Sequence, residues 1–258
     1  MHHIAASLRD THRADDVVLG LSSLGNWGKD PTHIEKDLHQ WLSTAYGIEL
    51  DVYHIQVQVL SDQPNCRTEV KSLAVLLTYE VCAALYETSS AAFAKCILGA
   101  YGTDGPQKYW ENALRSEWGK QHPVLKDIPP EQLCFLLPIQ YHADGACVFR
   151  GKEYYIHSFS SPLTCGSSLD TKFPNSMLEK ELFSDQTDTD IIAFINWCGQ
   201  VLVSGEWPTR GYYKEEWPAD SYRARKQGTR LMGPFTGAFC GWKGDTVAKV
   251  STHLYSHI

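Results

Sequence analysis

The chain has 258 residues, 43% hydrophobic and 21% charged, with a net charge of −7, enough to bury a sizeable core as one large domain or two small ones. No apolar run approaches the ~20 residues that cross a bilayer, and Arg9, Asp10, Arg13, Asp15 and Asp16 break up any secretory leader. These exclusions predict an intracellular protein with no membrane partner.

Charge is uneven along the chain. Residues 1–132 hold 11 Lys+Arg against 17 Asp+Glu, and residues 133–258 hold 12 against 13. The front half is therefore a poor surface for a phosphate backbone. Eight cysteines lie far apart with no C-x-x-C pair, mostly inside apolar segments. They read as small buried hydrophobes rather than zinc ligands or a disulfide framework.

In chain order, Asp30-Pro31 opens a capped helix over residues 30–47, with Pro at its first position. Residues 52–60 alternate as a half-buried strand. Val70, Leu73, Leu76, Leu77, Val81 and Leu85 predict one long amphipathic helix over residues 69–86. Ser89-Ser90 caps a further helix that Gly99 stops, and residues 106–118 form another, with Tyr109, Trp110 and Leu114 on one face. Then His122-Pro123 and Ile128-Pro129-Pro130 read as a linker.

The texture changes after the linker. An apolar strand from Leu133 to Tyr141 ends in His142-Ala143-Asp144-Gly145, and a second strand over residues 154–163 returns through a hairpin at Arg150-Gly151-Lys152. Residues 165–185 read as irregular. Asp188-Thr189-Asp190 caps a helix over residues 191–203, which Gly205 closes. A strand over residues 235–242 leads into Lys243-Gly244-Asp245, and a last helix runs from Val247. The fold class expected is α/β (α+β overall), with a mainly helical region of residues 1–130 and a mixed sheet with helices over residues 131–258.

Two strands of the back half end in aspartate, Asp144 and Asp245. Carboxylates at the ends of adjacent strands can share Mg²⁺ or Mn²⁺, since hard cations want oxygen ligands, and such metals clamp the oxygens of a phosphoryl displacement. The same residues also read as an Asp-Gly turn and a helix cap. A different chemistry pairs His142 and Asp144 as H-x-D with His253, the facial triad of Fe(II) oxygenases. Arg150, Arg223 or Arg230 would then hold a 2-oxoglutarate carboxylate. His253 and His257, spaced i, i+4, form another metal pair in principle. No P-loop, G-x-G-x-x-G or G-x-S-x-G is present. Arg223, Arg225, Lys226 and Arg230 form the one dense basic cluster and are the candidates for nucleic-acid contact, with Tyr212, Tyr213 and Trp217 available for base stacking.

Several stretches resemble repeat-derived protist proteins that look like relics of cut-and-paste transposons. They are residues 137–145 (Leu-Pro-Ile-Gln-Tyr-His-Ala-Asp-Gly), residues 158–163, Gly205-Glu206-Trp207-Pro208 and Gly241-Trp242-Lys243-Gly244-Asp245. The resemblance covers roughly residues 76–258. It implies a DDE-type, ribonuclease H-like transposase core in which Asp144 and Asp245 match the first two acids and hold Mg²⁺ or Mn²⁺. It also implies DNA as partner of the back half and a nuclear location. The third acid and the last strand of such a core do not appear before Ile258, so the resemblance implies a truncated, catalytically incomplete core. Its unpaired sheet edge would suit a protein partner or a second copy. The alternatives are a non-enzymatic interaction protein on the same fold and the Fe(II) oxygenase.

Overall fold

Alternation from Tyr53 onward builds the first strand, β1 (Tyr53–Leu60), with Tyr53, Ile55, Val57 and Val59 inward and His54 and Gln56 outward. In the computed structural model of the chain, the residues described are 50–61, 67–149, 152–164 and 171–244, with backbone alone for 146–149, 152 and 244. The helix expected over residues 30–47, the hairpin turn at Arg150-Gly151 and the helix expected from Val247 lie outside them.

The long helix expected over residues 69–86 is instead a strand followed by a helix. β2 (Thr68–Val75) pairs antiparallel with β1 along its whole length, from Tyr53↔Val75 to Leu60↔Thr68. Only Leu73 and Val75 of β2 are buried, two residues apart, whereas Val70 is 65% exposed. A period of two, completed by β1's hydrogen bonds, overrides the helical spacing. α1 (Thr78–Thr88) then begins, with Thr78 to Ala83 all buried.

Ser89 caps the next helix, α2 (Ser90–Phe93), its Oγ accepting from the Ala92 amide at 3.1 Å. A wide turn over Ala94–Leu98 follows, and the chain leaves it at Gly99 with φ +69. A Cβ there would stand 2.0 Å from the Leu163 carbonyl oxygen, so the position needs glycine twice over. The helix expected over residues 106–118 divides into α3 (Asp104–Ala113) and α4 (Glu117–Gln121). The Ser116 hydroxyl accepts from Gly119 and starts the second helix. Trp110 on α3 is fully buried and donates through Nε1 to the Leu136 carbonyl at 2.6 Å.

Four strands follow: β3 (Leu136–Phe149), β4 (Lys152–Ser160), β5 (Phe173–Glu179) and β6 (Thr236–Gly244). β5 falls in the stretch expected to be irregular. Its Asn175 is buried and donates to the Leu76 carbonyl and the Thr78 hydroxyl, both at 2.9 Å, and its Ser176 pairs with Val75. These bonds join the front hairpin to the back half. The result is one mixed six-stranded sheet in the order β1-β2-β5-β4-β3-β6, antiparallel except for the parallel β3/β6 pair. The fold is therefore mixed α+β, and β1 and β2 share a sheet with the strands after residue 131.

Between β5 and β6 runs α5 (Asp185–Ser204), opened by a Ser184/Thr187 capping box and closed by Gly205 in the left-handed region at φ +69. The cap thus precedes the one expected at residues 188–190. α5 contacts both edge strands, β1 and β6, so the sheet curls around it. Its Phe194, Ile195, Cys198 and Leu202 join Leu137, Ile139, Tyr141 and Phe159 in the main core. Trp110, Val124, Leu125, Leu133, Leu136 and Ala238 form a smaller core at the start of β3. Cys82, Cys96 and Cys198 are buried free thiols. Among the described residues no helix is long and apolar enough to cross a membrane.

Candidate functional site

Asp144 does not end its strand. β3 continues past it to Phe149, with Asp144 paired to Ile156 and Gly145 to Tyr155 across β4. The turn expected at Asp144-Gly145 is therefore replaced by regular ladder, and Asp144 is a strand residue with an exposed carboxylate. Alternation places Gln140, His142 and Asp144 on one face of β3, opposite the face carrying Leu137, Ile139 and Tyr141. On β4 their row partners are Ser160 for Gln140 and Ser158 for His142. On β6 they are Gly241 and Lys243, after a bulge at Cys240 restores the register. Phe173 pairs with Phe159, so Lys172, the residue before β5, carries the Gln140–Ser160 row onward.

This polar face has a buried floor and an exposed rim. Gln140, His142, Ser158 and Ser160 are buried, while Asp144, Lys172 and Lys243 are exposed. His142 Nε2 lies 2.8 Å from Ser160 Oγ and 3.3 Å from Gln140 Nε2. An amide nitrogen only donates, so Nε2 accepts and the neutral ring carries its proton on Nδ1. Burial, reinforced by the Lys172 and Lys243 charges and opposed by Asp144, lowers the His142 pKa to about 4. The imidazole is neutral at pH 7.

Asp144 has no hydrogen-bond or ion-pair partner among the described residues. A hard oxygen donor at an open strand position, opposite Ile156 and one row beyond His142 and Ser158, suits Mg²⁺ or Mn²⁺, which keep several waters. Ala143, the residue before Asp144, lies opposite Gly244, the residue before Asp245. Asp245, His253 and His257 themselves lie outside the described residues, as does Arg150. The H-x-D pair is less well presented for iron: His142 Nε2 is already held on the Gln140 side of the ring, and chelation through it would break both contacts. Among the described residues no group of three His, Cys, Asp or Glu side chains converges.

The basic cluster has mixed fates. Arg223, in α6 (Tyr222–Lys226), grips Glu80 of α1 through Nε at 2.6 Å and Nη2 at 3.0 Å and donates to the Asp51 carbonyl at 2.7 Å. Its guanidinium sits 5.6 Å over Tyr53 and 5.4 Å over Trp217. Burial pushes the Glu80 carboxyl up, and the Arg223 contact opposes it. Lys226 pairs with Glu87 at 2.6 Å, and Arg225 donates to the Asp220 carbonyl. Arg225 and Arg230 are exposed. Thus Arg223 and Lys226 fasten the connector to α1, a role no sequence signal within residues 223–230 discloses. Of the aromatics considered for stacking, Trp217 is buried and Tyr212 packs edge-on against Phe194 and Trp197. Tyr213 is half exposed, and its hydroxyl accepts from the Gln56 amide.

A cavity of ≈ 140 Å³ was not anticipated from the sequence. It lies on the α5 side of the sheet, with Tyr141, Ile195, Gly199, Val203 and Phe239 in its lining. A glycine inside a long helix, Gly199, is the sequence signal that could have found it. The cavity is on the opposite face from Asp144 and supplies nothing to that site. No protein-family model matches the chain, and neither the curated proteins nor the solved structures yield a match.

Proposed function

We propose that residues 136–245 form a ribonuclease H-like core of transposase descent that binds a divalent cation, Mg²⁺ or Mn²⁺, through Asp144 and Asp245 and engages nucleic acid there. One observation carries the reading. β3 and β6 are neighbouring parallel strands joined through α5, and the residues just before the two acids, Ala143 and Gly244, are register partners. A strand with the first acid, antiparallel strands, a crossover helix and a parallel strand leading to the second acid is the order such a core requires.

A cation held there would supply Lewis-acid stabilisation of charge on a phosphoryl oxygen. The chain's own contribution is to hold Asp144 rigidly in a paired strand, one row beyond His142 and Ser158. Two-metal displacement needs further oxygen ligands to fix the second ion. The other carboxylate in the described rows of this face, Glu179, stands two strands away on β5 in the Ala146–Tyr154 row, so the reading is a binding core without cleavage activity.

Mn²⁺ titration followed by electron paramagnetic resonance tests the reading. The full chain should bind Mn²⁺, and Asp144→Asn and Asp245→Asn should each weaken binding by about tenfold or more, since affinity follows ligand charge. Unchanged Mn²⁺ affinity in both variants would overturn it.

A further inference from the structure

Two exposed lysines frame the Asp144 face. Lys243 is the row partner of His142 on β6, and Lys172 continues the Gln140–Ser160 row toward β5. Neither has a hydrogen-bond or ion-pair partner among the described residues, whereas Arg223 and Lys226 of the basic cluster are paired to Glu80 and Glu87. On this polar face the two ammonium groups, set against the carboxylate of Asp144 at the rim, form a local attraction for an anion.

Spacing decides which anion. Lys172 and Lys243 stand on opposite sides of β4 and β3, three strand spacings apart, or about 14 Å. A single phosphate cannot reach both without bending two long side chains inward across β4 and β3. A nucleic-acid strand carries a charge about every 3.4 Å of duplex axis, and so offers several phosphates over that span. Asp144 lies one row further along the same face, at the rim.

We infer that Lys172 and Lys243 clamp the phosphates of one nucleic-acid strand across the β5-β4-β3-β6 face and draw it past Asp144. The inference rests on the proposed function in that both need nucleic acid at this face, but it assigns the electrostatic contact to these two lysines and not to residues 223–230. The clamp needs no cation. It should work with the divalent site empty.

Fluorescence anisotropy of a labelled oligothymidylate, measured in EDTA over a salt series, tests it. The parent chain should bind at low salt, and the Lys172→Ala/Lys243→Ala variant should lower the slope of log affinity against log salt by about 1.4, or ~0.7 per lost contact on a single strand. The Lys172→Arg/Lys243→Arg variant should restore the slope. Inorganic phosphate at equal phosphate concentration should compete poorly, because it cannot bridge both lysines. An unchanged slope in the alanine variant, absence of binding by the parent, or equal competition by inorganic phosphate would each overturn the clamp. The Mn²⁺ titration reads the cation site separately. An unchanged slope with Asp144-dependent Mn²⁺ binding sinks the clamp alone, whereas a lowered slope without such Mn²⁺ binding sinks the cation site alone.

Discussion

His157 shows how far a residue's surroundings can override its type. It sits on β4 opposite Ala143 and Ser176, is 1% exposed, and stacks on Phe183 at 6.0 Å between ring centroids. Nδ1 lies 3.2 Å from Ser176 Oγ, and Nε2 has no hydrogen-bond partner. Burial lowers its pKa from 6.5 to about 4. The folded state therefore stays deprotonated in a range where the unfolded state takes up a proton. Stability from this group is complete above pH 6.5 and is lost as pH falls toward 4, in all about 3 kcal/mol. His142, less deeply buried, shifts in the same direction and adds to the trend. Urea midpoints measured from about pH 7 down to about pH 4.5 should fall, and His157→Gln should flatten that dependence. A parent midpoint that does not move over this range would show that the histidine is not held neutral.

At the scale of elements, legibility followed the distance over which each signal acts. β1 was readable because its alternation is local and uninterrupted. β2 was misread because Val70, Leu73 and Leu77 satisfy a helical period as well, and only pairing with β1 decides between the two. β5 was missed because Pro174 and Asn175 mimic a loop, although Asn175 is buried for its bonds to Leu76 and Thr78, nearly a hundred positions away. For the candidate site, the strand before Asp144 was legible, but its continuation to Phe149 was not, nor was the placing of Lys172 and Lys243 on the face of Gln140 and His142. It depends on the cross-strand register and on the bulge at Cys240. The basic cluster was visible as charge, but its partners Glu80 and Glu87 lie on another helix. α5 carries an expectation of its own. Gly199 lies in the helix interior, and a Cβ there would meet nothing within 4 Å. Gly199→Ala should therefore raise stability by about 1 kcal/mol, from helix propensity and a stiffer unfolded chain. A lower melting temperature by circular dichroism would contradict the open space seen beside α5.

On the scale of the whole molecule, the curl of the sheet makes front and back halves depend on each other. α5 packs against β1 at one edge and β6 at the other, and its opening turn seals the free side of β1. Asp190 accepts from the Gln58 amide at 2.8 Å, and the Ser184 and Thr187 hydroxyls donate to the Gln58 carbonyl. An edge closed in this way is a poor docking template for another strand. Ile55, Val57, Val59, Leu77, Tyr79 and Cys82 all belong to the main core that holds Leu137, Tyr141 and Ile195. Each large apolar side chain of that set contributes about 1.5–3 kcal/mol on burial, so their joint loss is comparable to the whole ~5–15 kcal/mol by which a domain is stable. A fragment of residues 131–258, cut at the linker the sequence suggests, should therefore fail to fold cooperatively. It should bind 8-anilinonaphthalene-1-sulfonate and lack a near-ultraviolet dichroic signal, while the full chain should show a native near-ultraviolet signal and a sharp melt. A fragment with a sharp thermal transition and native near-ultraviolet signal would mean that β3 to β6 and α5 fold without the hairpin. Asp144 and the lysine rows would then owe nothing to β1, β2 and α1.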